Sequence, residues 1–361
     1  TCIDATLTGI VTSPPTSGGT TGGGGCGANG AGNGQSGTSG GGGQSSGGGG
    51  GSSSNIASAT AIATHRIFGS DAIATSIATS NAEFAAAGST PAVVLARSDK
   101  FADALAGGPL AASVAGPLLI TPGAAISAQL DPRVLAEISR VLVPGGTVDV
   151  LGGTGALSPA VDTALEARGF KVQRVFGADE YSTAVAIAHQ LGDPTTVFEA
   201  TGHSFADALS AVPAAIKAHG AILLTNGNMQ APATAAYLAA HPSDTRYAIG
   251  GSMAAAGADP TATAVFGADL YGTSAAVATK FFPAATSFAV ATGLKFPDAL
   301  SGGVMEGANA GPMLLVPKTG ALPSAITSYL QSQATTLTSA LIFGGSAAVS
   351  DAVVGELTTA G

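Results

Sequence analysis

The pentapeptide FADAL stands at residues 101–105 and again at 205–209, and FPDAL stands at 296–300. Each copy follows a short apolar run and precedes a stretch of small residues with helical spacing and then a second apolar run. Self-similar segments that return in a fixed order indicate a repeat architecture. The sequence therefore predicts three copies of one structural unit.

Two further landmarks recur in the same order around each pentapeptide. A Phe-Gly pair followed by an Asp and then a Thr lies at residues 68–75, 176–183 and 266–273. A Gly-Gly pair closes a later apolar run at 152–153, 250–251 and 344–345. Three matched landmarks in three copies are hard to obtain by chance, so they define the unit.

Each unit is predicted to alternate strand and helix four times. The strands are continuous apolar runs such as residues 92–95, which is typical of a parallel sheet covered on both faces. Strands that alternate with helices imply right-handed crossovers. We therefore expect an α/β protein of three tandem Rossmann-like or flavodoxin-like three-layer units with parallel sheets. A helix is expected after the Gly-Gly pair at 158–168 and 350–357, but Gly257 and Pro260 interrupt the equivalent segment.

Four segments are predicted from these patterns. Residues 1–60 are rich in Gly, Ser and Thr, with too little apolar surface to offset the entropy of ordering, and are expected to be a flexible N-terminal segment. The repeats are expected at 61–170, 171–260 and 261–361. The chain begins at Thr1 without Met, which fits removal of an export signal or of an upstream domain. Cys2 and Cys26 suit one disulfide in an exported protein, and two free thiols are the alternative.

Charge and hydropathy exclude some partners. The chain has 13 Lys and Arg against 22 Asp and Glu, a net charge of -9, and no basic run. Nucleic acid is therefore not expected as a partner, because neutralising phosphates needs a basic face. No apolar stretch approaches the roughly 20 residues that span a bilayer, so membrane insertion is not expected. An anionic polymer meets the same charge objection as nucleic acid, unless a local cleft gathers arginines.

The landmarks closely resemble the cell wall binding repeat 2 family, which occurs in triplicate in surface and secreted proteins of Gram-positive bacteria. The elements are Arg-x-Phe-Gly-x-Asp at 66–71 and 174–179, Ala-Thr-Gly at 200–202 and 291–293, the three pentapeptides and the closing Gly-Gly pairs. The resemblance covers residues 61 to 361. It implies a pseudo-threefold disc that attaches its carrier non-covalently, outside the cell, to a secondary polymer or another glycan of the wall.

The chain departs from this family at cationic positions. The family usually has Arg after the opening Asp, and Ala72, Glu180 and Leu270 stand there instead. The earlier Arg is Ala264 in the third unit, and Ala-Thr-Gly becomes Ala-Arg-Ser at 96–98 in the first. These losses weaken the expectation of a strongly anionic ligand.

Nine residues are candidates for polymer contact. Arginine binds carboxylate or phosphate bidentately, which favours the three arginines that lie at or near the repeat landmarks. Aspartates at helix starts are interpreted first as caps and alternatively as ligands in the crevice beyond the strand ends. The candidates are Arg66, Arg97, Arg174, Asp71, Asp179, Asp269, Asp103, Asp207 and Asp298.

Catalysis is not expected in this chain. The five histidines form no HExxH pattern and recur at no repeat position, and the Gly-Gly turns lack a full GxGxxG or a P-loop lysine. We predict no enzyme activity, cofactor or metal. A self-assembling surface-layer or filament subunit is the second hypothesis, suggested by the 10% charged residues. A small-ligand-binding enzyme that uses the crevices is the third.

Overall fold

The computed structural model describes residues 62–360, in which twelve strands and twelve helices alternate. The predicted flexible segment 1–60 and the cysteines Cys2 and Cys26 lie outside the described residues, so the tether and the disulfide stay predictions. No helix of the described part is long and apolar enough to cross a bilayer.

The elements follow the three predicted repeats. The first eight are β1 (Ala63–Ile67), α1 (Ala72–Glu83), β2 (Thr90–Arg97), α2 (Ala102–Ser113), β3 (Leu118–Thr121), α3 (Pro132–Val141), β4 (Leu142–Leu151) and α4 (Pro159–Glu166). The next eight are β5 (Lys171–Val175), α5 (Glu180–Gln190), β6 (Thr196–Thr201), α6 (Phe205–Lys217), β7 (Ala221–Thr225), α7 (Pro232–Ala240), β8 (Thr245–Ile249) and α8 (Ala255–Ala258). The last eight are β9 (Thr263–Val265), α9 (Leu270–Phe281), β10 (Ser287–Thr292), α10 (Pro297–Ala308), β11 (Met313–Val316), α11 (Ser324–Ser332), β12 (Ser339–Phe343) and α12 (Asp351–Ala360).

The helix that follows each Gly-Gly pair has the predicted character. Helices α4 and α12 have eight and ten residues, while α8 has only four. Gly257 lies inside α8, and Pro260 follows the C-cap residue Asp259. Glycine and proline disfavour helix formation, so the interrupted helix predicted for the second repeat is confirmed.

Three four-stranded parallel sheets form, with the orders β3-β2-β4-β5, β7-β6-β8-β9 and β11-β10-β12-β1. Numbered by sequence, the strands of the first two sheets have the order 2-1-3-4, as in a flavodoxin-like sheet. The third sheet has the same arrangement, with β1 in the place of the last strand. Pairing is parallel throughout the named strands. The expected fold class, three parallel α/β units, is confirmed.

Each sheet is completed by a strand from the following repeat. Strand β5 pairs with β4, and β9 pairs with β8. The third sheet takes β1 from the beginning of the described chain, where Ala63 pairs with Ser339. The three units therefore close into a ring. The repeat boundaries at 170 and 260 stay predictions, because the strand after each boundary lies in the sheet of the preceding repeat.

The centre of the ring is a bundle of the three pentapeptide helices α2, α6 and α10, which pack on one another. Helices α1, α5 and α9 pack around them. The pseudo-threefold symmetry is broken where the helices touch: a methyl group added to Gly108 would lie 2.6 Å from Val212 Cγ1, and one added to Gly303 would lie 3.4 Å from the same atom. One valine thus fills the space left by two glycines.

Candidate functional site: the face at the carboxyl ends of the strands

The starts of the three central helices meet on one side of the ring. Phe101, Phe205 and Phe296 stand there with ring centroids 6.0, 5.6 and 5.6 Å apart. Each helix follows the carboxyl end of a strand, so the carboxyl ends of all three sheets lie on this side. We call the surface formed by the loops that leave these strand ends the carboxyl-end face. Open α/β sheets place their ligands at such an edge.

Three aspartates follow the phenylalanines in the first turns of the central helices, and we call Asp103, Asp207 and Asp298 the inner aspartates. They are half-buried, and their carboxylates make no hydrogen bond within residues 62–360. The capping interpretation is therefore wrong for these three. They lie inside the helix rather than at its N-cap position, which Phe101, Ser204 and Phe296 occupy.

The inner aspartates face the Gly-Gly turns. A methyl group added to Gly152 would lie 2.9 Å from Asp103 Oδ2, and the equivalent distance from Gly250 to Asp207 Oδ2 is 2.6 Å. In the third unit the distance from Gly344 to Asp298 Oδ2 is 3.1 Å. The first glycine of each turn has a φ between 92° and 109°, so backbone conformation and the close carboxylate both require glycine there.

Burial changes the titration of two inner aspartates. Desolvation raises the pKa of Asp103 to about 6, although Arg97 partly opposes the shift and Glu180 adds to it. Desolvation alone raises the pKa of Asp207 to about 6. A carboxylate without hydrogen-bond donors is poorly stabilised when it leaves water, which is the physical cause of both shifts.

The outer aspartates, Asp71, Asp179 and Asp269, lie at the starts of α1, α5 and α9. Each accepts a hydrogen bond of 2.7 Å from a backbone N–H three residues on, at Ala74, Ser182 and Gly272. The capping interpretation is confirmed for these three. Their carboxylates are engaged by the first turn of their own helices.

The threonine of the Phe-Gly landmark has a structural role. Thr75, Thr183 and Thr273 each accept a hydrogen bond from the backbone N–H of the landmark glycine, at 3.0, 3.1 and 3.2 Å. This contact joins the end of the strand to the first turn of the outer helix. The threefold recurrence of Thr in the sequence follows from it.

Arg66 and Arg174 hold the Gly-Gly turns of neighbouring repeats. Arg66 donates to the carbonyl of Gly344 at 2.9 Å and pairs with Asp351 at 2.8 Å. Arg174 donates to the carbonyl of Gly152 at 3.0 Å. Arg174 on β5 therefore connects to the turn and helix of the first repeat, and Arg66 on β1 connects to those of the third repeat, where the ring closes. A contact of these two arginines with polymer stays a prediction.

Arg97 lies on the carboxyl-end face and pairs with Asp99 through two of its nitrogens. Both residues line a crevice of about 580 Å³ between the first and second units, bounded by the turn after β4, the start of α5 and the loop after β6. The charged side chains that line it are Arg97, Asp99, Lys100, Asp103, Asp179 and Glu180. Of the three candidate arginines, this one faces a space large enough for a ligand.

The three units share this geometry and differ in charge. The position after each outer aspartate is Glu180, Leu270 or Ala72. Glu180 lines the crevice of the first unit. Leu270 packs over the end of β10, since a methyl group on Gly293 would lie 2.4 Å from its Cδ1. The residue at this position is therefore charged in one unit, apolar in the next and small in the third.

The residues that the sequence reasoning missed are Phe68, Phe176 and Phe266. They were treated as fold landmarks, yet they are 37%, 53% and 50% exposed. Recurrence by itself did not indicate this exposure, because the pentapeptide phenylalanines also recur just beyond strand ends and instead pack on one another. His203, in the loop after β6, is exposed. Within residues 62–360 no three His, Cys, Asp or Glu side chains are grouped to hold a metal ion.

A ring of three similar units that each place an inner aspartate beside a Gly-Gly turn on one face is typical of a repeat-built binding module. The family model described as "Cell wall binding domain 2 (CWB2)" matches residues 66–162, 174–258 and 264–354. These segments make up more than half of the chain. The chain belongs to the cell wall binding domain 2 family, with three tandem copies, and the resemblance drawn from the sequence is confirmed.

Curated relatives carry the same region beside other sequence. N-acetylmuramoyl-L-alanine amidase LytC of Bacillus subtilis (strain 168) is 24% identical over 244 residues, which cover 66% of this chain and 47% of the relative. The amidase enhancer of the same organism is 33% identical over 134 residues, 37% of this chain and 18% of the relative. The chain thus spans less than half the length of these relatives.

Two solved structures share the fold. Cwp6 and Cwp8 from Clostridium difficile each superpose with a TM-score of 0.74 over 83% of this chain. They are 21% and 23% identical to it, and the match covers 48% and 52% of their chains. At this identity the likeness establishes the three-unit architecture.

Proposed function

We propose that the chain is a cell-surface anchoring module whose carboxyl-end face docks on a secondary polymer or a peptidoglycan-associated glycan of the bacterial wall. The observation that carries the proposal is the threefold set of inner aspartates, which are half-buried beside the Gly-Gly turns and have no hydrogen-bond partners among residues 62–360. Buried polar groups normally have partners. A repeating ligand with hydroxyl or amide donors would supply them.

Family membership supports the wall as the site of docking. A polymer also suits a threefold receptor, because several weak contacts along one chain raise the overall affinity by effective concentration. Net charge argues against a purely electrostatic contact, since the chain carries -9.

We further propose that the described part acts by binding and performs no catalysis. LytC is named an amidase, but the chain spans 47% of it, so that activity does not transfer by likeness. The inner aspartates of the three repeats are equivalent, and none is hydrogen-bonded to a base within the described residues. Release of soluble muropeptides from walls incubated with the chain would contradict this proposal.

Co-sedimentation tests docking. The full chain is mixed with purified walls, before and after acid extraction of secondary polymers, at 50 and 500 mM salt. We expect sedimentation with intact walls and its loss after extraction. Sedimentation velocity on the same samples tests self-association, which stays a prediction. Assembly without any wall-bound fraction would favour the self-assembling subunit instead.

A further inference from the structure

Every exposed large hydrophobic side chain of residues 62–360 lies in a loop that leaves the carboxyl end of a strand. The seven residues are Phe68, Ile126, Phe176, Met229, Met253, Phe266 and Leu294. Their common position places them all on the carboxyl-end face. Apolar side chains gathered on one side of a protein mark an interaction surface.

Three of the seven are related by the pseudo-threefold symmetry and lie beside the Gly-Gly turns. A methyl group added to Gly153 would lie 3.3 Å from the ring of Phe176, and the equivalent distances are 3.5 Å from Gly251 to Phe266 and 3.5 Å from Gly345 to Phe68. One side of each ring therefore rests against glycine backbone. About half of each side chain, or somewhat less at Phe68, is exposed to solvent.

Each Gly-Gly turn joins one such ring to one inner aspartate. The first glycine of the turn after β4 faces Asp103, and the second faces Phe176. The other two turns bring Phe266 to Asp207 and Phe68 to Asp298 in the same way. The molecule thus presents, on each of three Gly-Gly turns, an exposed aromatic ring at one glycine and, at the adjacent glycine, a carboxylate without a hydrogen-bond partner in the described part of the chain.

This pairing fits a pyranose ring. A pyranose has an apolar face of C–H groups, which stacks on the electron-rich face of an aromatic ring, and hydroxyls at its edge, which donate to a carboxylate. A lipid surface would make no use of the aspartates. A peptide strand would need an unpaired sheet edge rather than three separate turns.

The charges indicate which sugars. Six of the seven arginines pair with a carboxylate within residues 62–360: Arg66, Arg97, Arg133, Arg140, Arg174 and Arg246. The strand-end loops do carry Lys100, Lys295 and Lys318, but the six inner and outer aspartates outnumber them. A densely anionic polymer would therefore be repelled from this face.

We infer that Phe176 with Asp103, Phe266 with Asp207, and Phe68 with Asp298 are three equivalent subsites for uncharged pyranose units of the wall glycan. The inference rests on the proposed wall-docking function and names the sugar class and the residues that recognise it. Leu270 and Glu180 then flank different subsites and set their preferences for neighbouring sugars.

The first test separates ring stacking from general hydrophobic contact. The full chain carrying Phe68→Leu, Phe176→Leu and Phe266→Leu keeps apolar side chains but loses the flat rings, and the matched control carries Trp at the same three positions. We expect the Leu variant to bind purified walls at least about tenfold more weakly, a loss of about 1.4 kcal/mol in binding free energy, because all three flat stacking surfaces are removed. The Trp control should bind as well as the wild type or better.

The second test reads a single subsite directly. The sequence has no tryptophan, so Phe176→Trp creates a unique fluorophore. Addition of the polysaccharide released from walls by acid should shift its emission. Lys171→Trp, at the exposed amino end of the same strand, is the control and should not respond. Equal responses, or none at Phe176→Trp while the wild type binds walls, would overturn the subsite.

The outcomes distinguish the two proposals. A wild-type chain that fails to sediment with walls of its own bacterium and with those of Bacillus subtilis contradicts wall docking itself. Wild-type binding with an unaffected Leu variant refutes only the subsites. Binding that disappears at 500 mM salt refutes the uncharged ligand. If the Leu variant changes the sedimentation velocity but not wall binding, the three rings instead hold two copies of the chain together.

Discussion

The inner and outer aspartates are two sets of three identical residues at helix starts with opposite surroundings. The outer aspartates cap their helices, as when Asp179 accepts a hydrogen bond of 2.7 Å from the backbone N–H of Ser182. The inner set has no hydrogen-bond partner within residues 62–360 and faces glycine at a crevice. The difference is one of position, because an N-cap residue turns its side chain back onto free N–H groups, whereas a residue inside the first turn points outward. Helix starts alone therefore do not tell a cap from a ligand.

The largest difference between the two sets should appear in wall binding. Replacing all three inner aspartates with Ala should weaken binding by about a hundredfold or more, since a hydrogen bond to a charged group contributes about 1.5–3 kcal/mol. Co-sedimentation at increasing wall concentration measures the loss. The matched variant Asp71→Asn, Asp179→Asn and Asp269→Asn keeps capping groups and should bind as the wild type does. Equal losses in both variants would remove the distinction.

The close approach of the inner aspartates depends on glycine. Gly250→Ala places a methyl group 2.6 Å from Asp207 Oδ2 at a φ of 109°, so we expect a loss of about 1–3 kcal/mol in the free energy of unfolding. Denaturant unfolding measures it. Gly155→Ala is the control, because Gly155 lines the crevice with open space around its Cα and no positive φ. A tolerated Gly250→Ala would show that the carboxylate is free to move away.

Substitutions in the outer and inner sets should also have different effects on the free energy of unfolding. Asp179→Ala removes a cap and should lower the free energy of unfolding by about 1 kcal/mol, while Asp179→Asn should retain most of it. Asp207→Ala removes a desolvated carboxylate and should leave stability unchanged or raise it. Thermal unfolding of the three variants at pH 7 gives the comparison. A destabilised Asp207→Ala would mean that the inner carboxylate has a partner after all.

The pH dependence should have opposite signs in the two sets. Burial raises the pKa of Asp103 and Asp207 from 3.8 to about 6, so the folded state holds more protons than the unfolded state between these values. Their contribution to the free energy of unfolding therefore falls as pH rises from about 4 to 6. The variant Asp103→Asn with Asp207→Asn should remove this decline.

The outer set acts at lower pH. Hydrogen bonds with Ser182 lower the pKa of Asp179. Burial raises the pKa of Asp71, but the hydrogen bonds of its carboxylate with Ala74 and Arg133 outweigh burial, so that its pKa is lowered overall. These two stabilise the fold above the ordinary value of 3.8, and the contribution is lost as pH falls through their lowered pKa values. Melting temperatures of the wild type, of the inner double variant and of an outer double variant, Asp71→Asn with Asp179→Asn, between pH 3 and 7 test the signs. A pH 4 to 6 decline that survives in the inner double variant would contradict the assignment.

Local features were predictable and distant ones were not. The Asp71 cap joins residues three apart, and capping residues at helix starts have a known pattern. The bond from Arg66 to Gly344 joins residues 278 apart, and no local pattern indicates it. Arg66 and Arg174 were consequently considered as polymer contacts, whereas the structure shows the turns that they hold. The exposed phenylalanines were missed for the same reason, since exposure depends on what else packs there.

The sequence by itself determined the three repeats, the alternation of strands and helices, the outer caps and the interrupted helix α8, because each depends on residues close together in the chain. Tertiary structure decided that each sheet takes its fourth strand from another repeat and that β1 and β12 close the ring. It also decided that an aspartate and a phenylalanine pack against adjacent glycines of every Gly-Gly turn. The physical reason is that periodicity specifies which residues form a strand and which face is apolar, while the choice of neighbour depends on burying all three sheets at once.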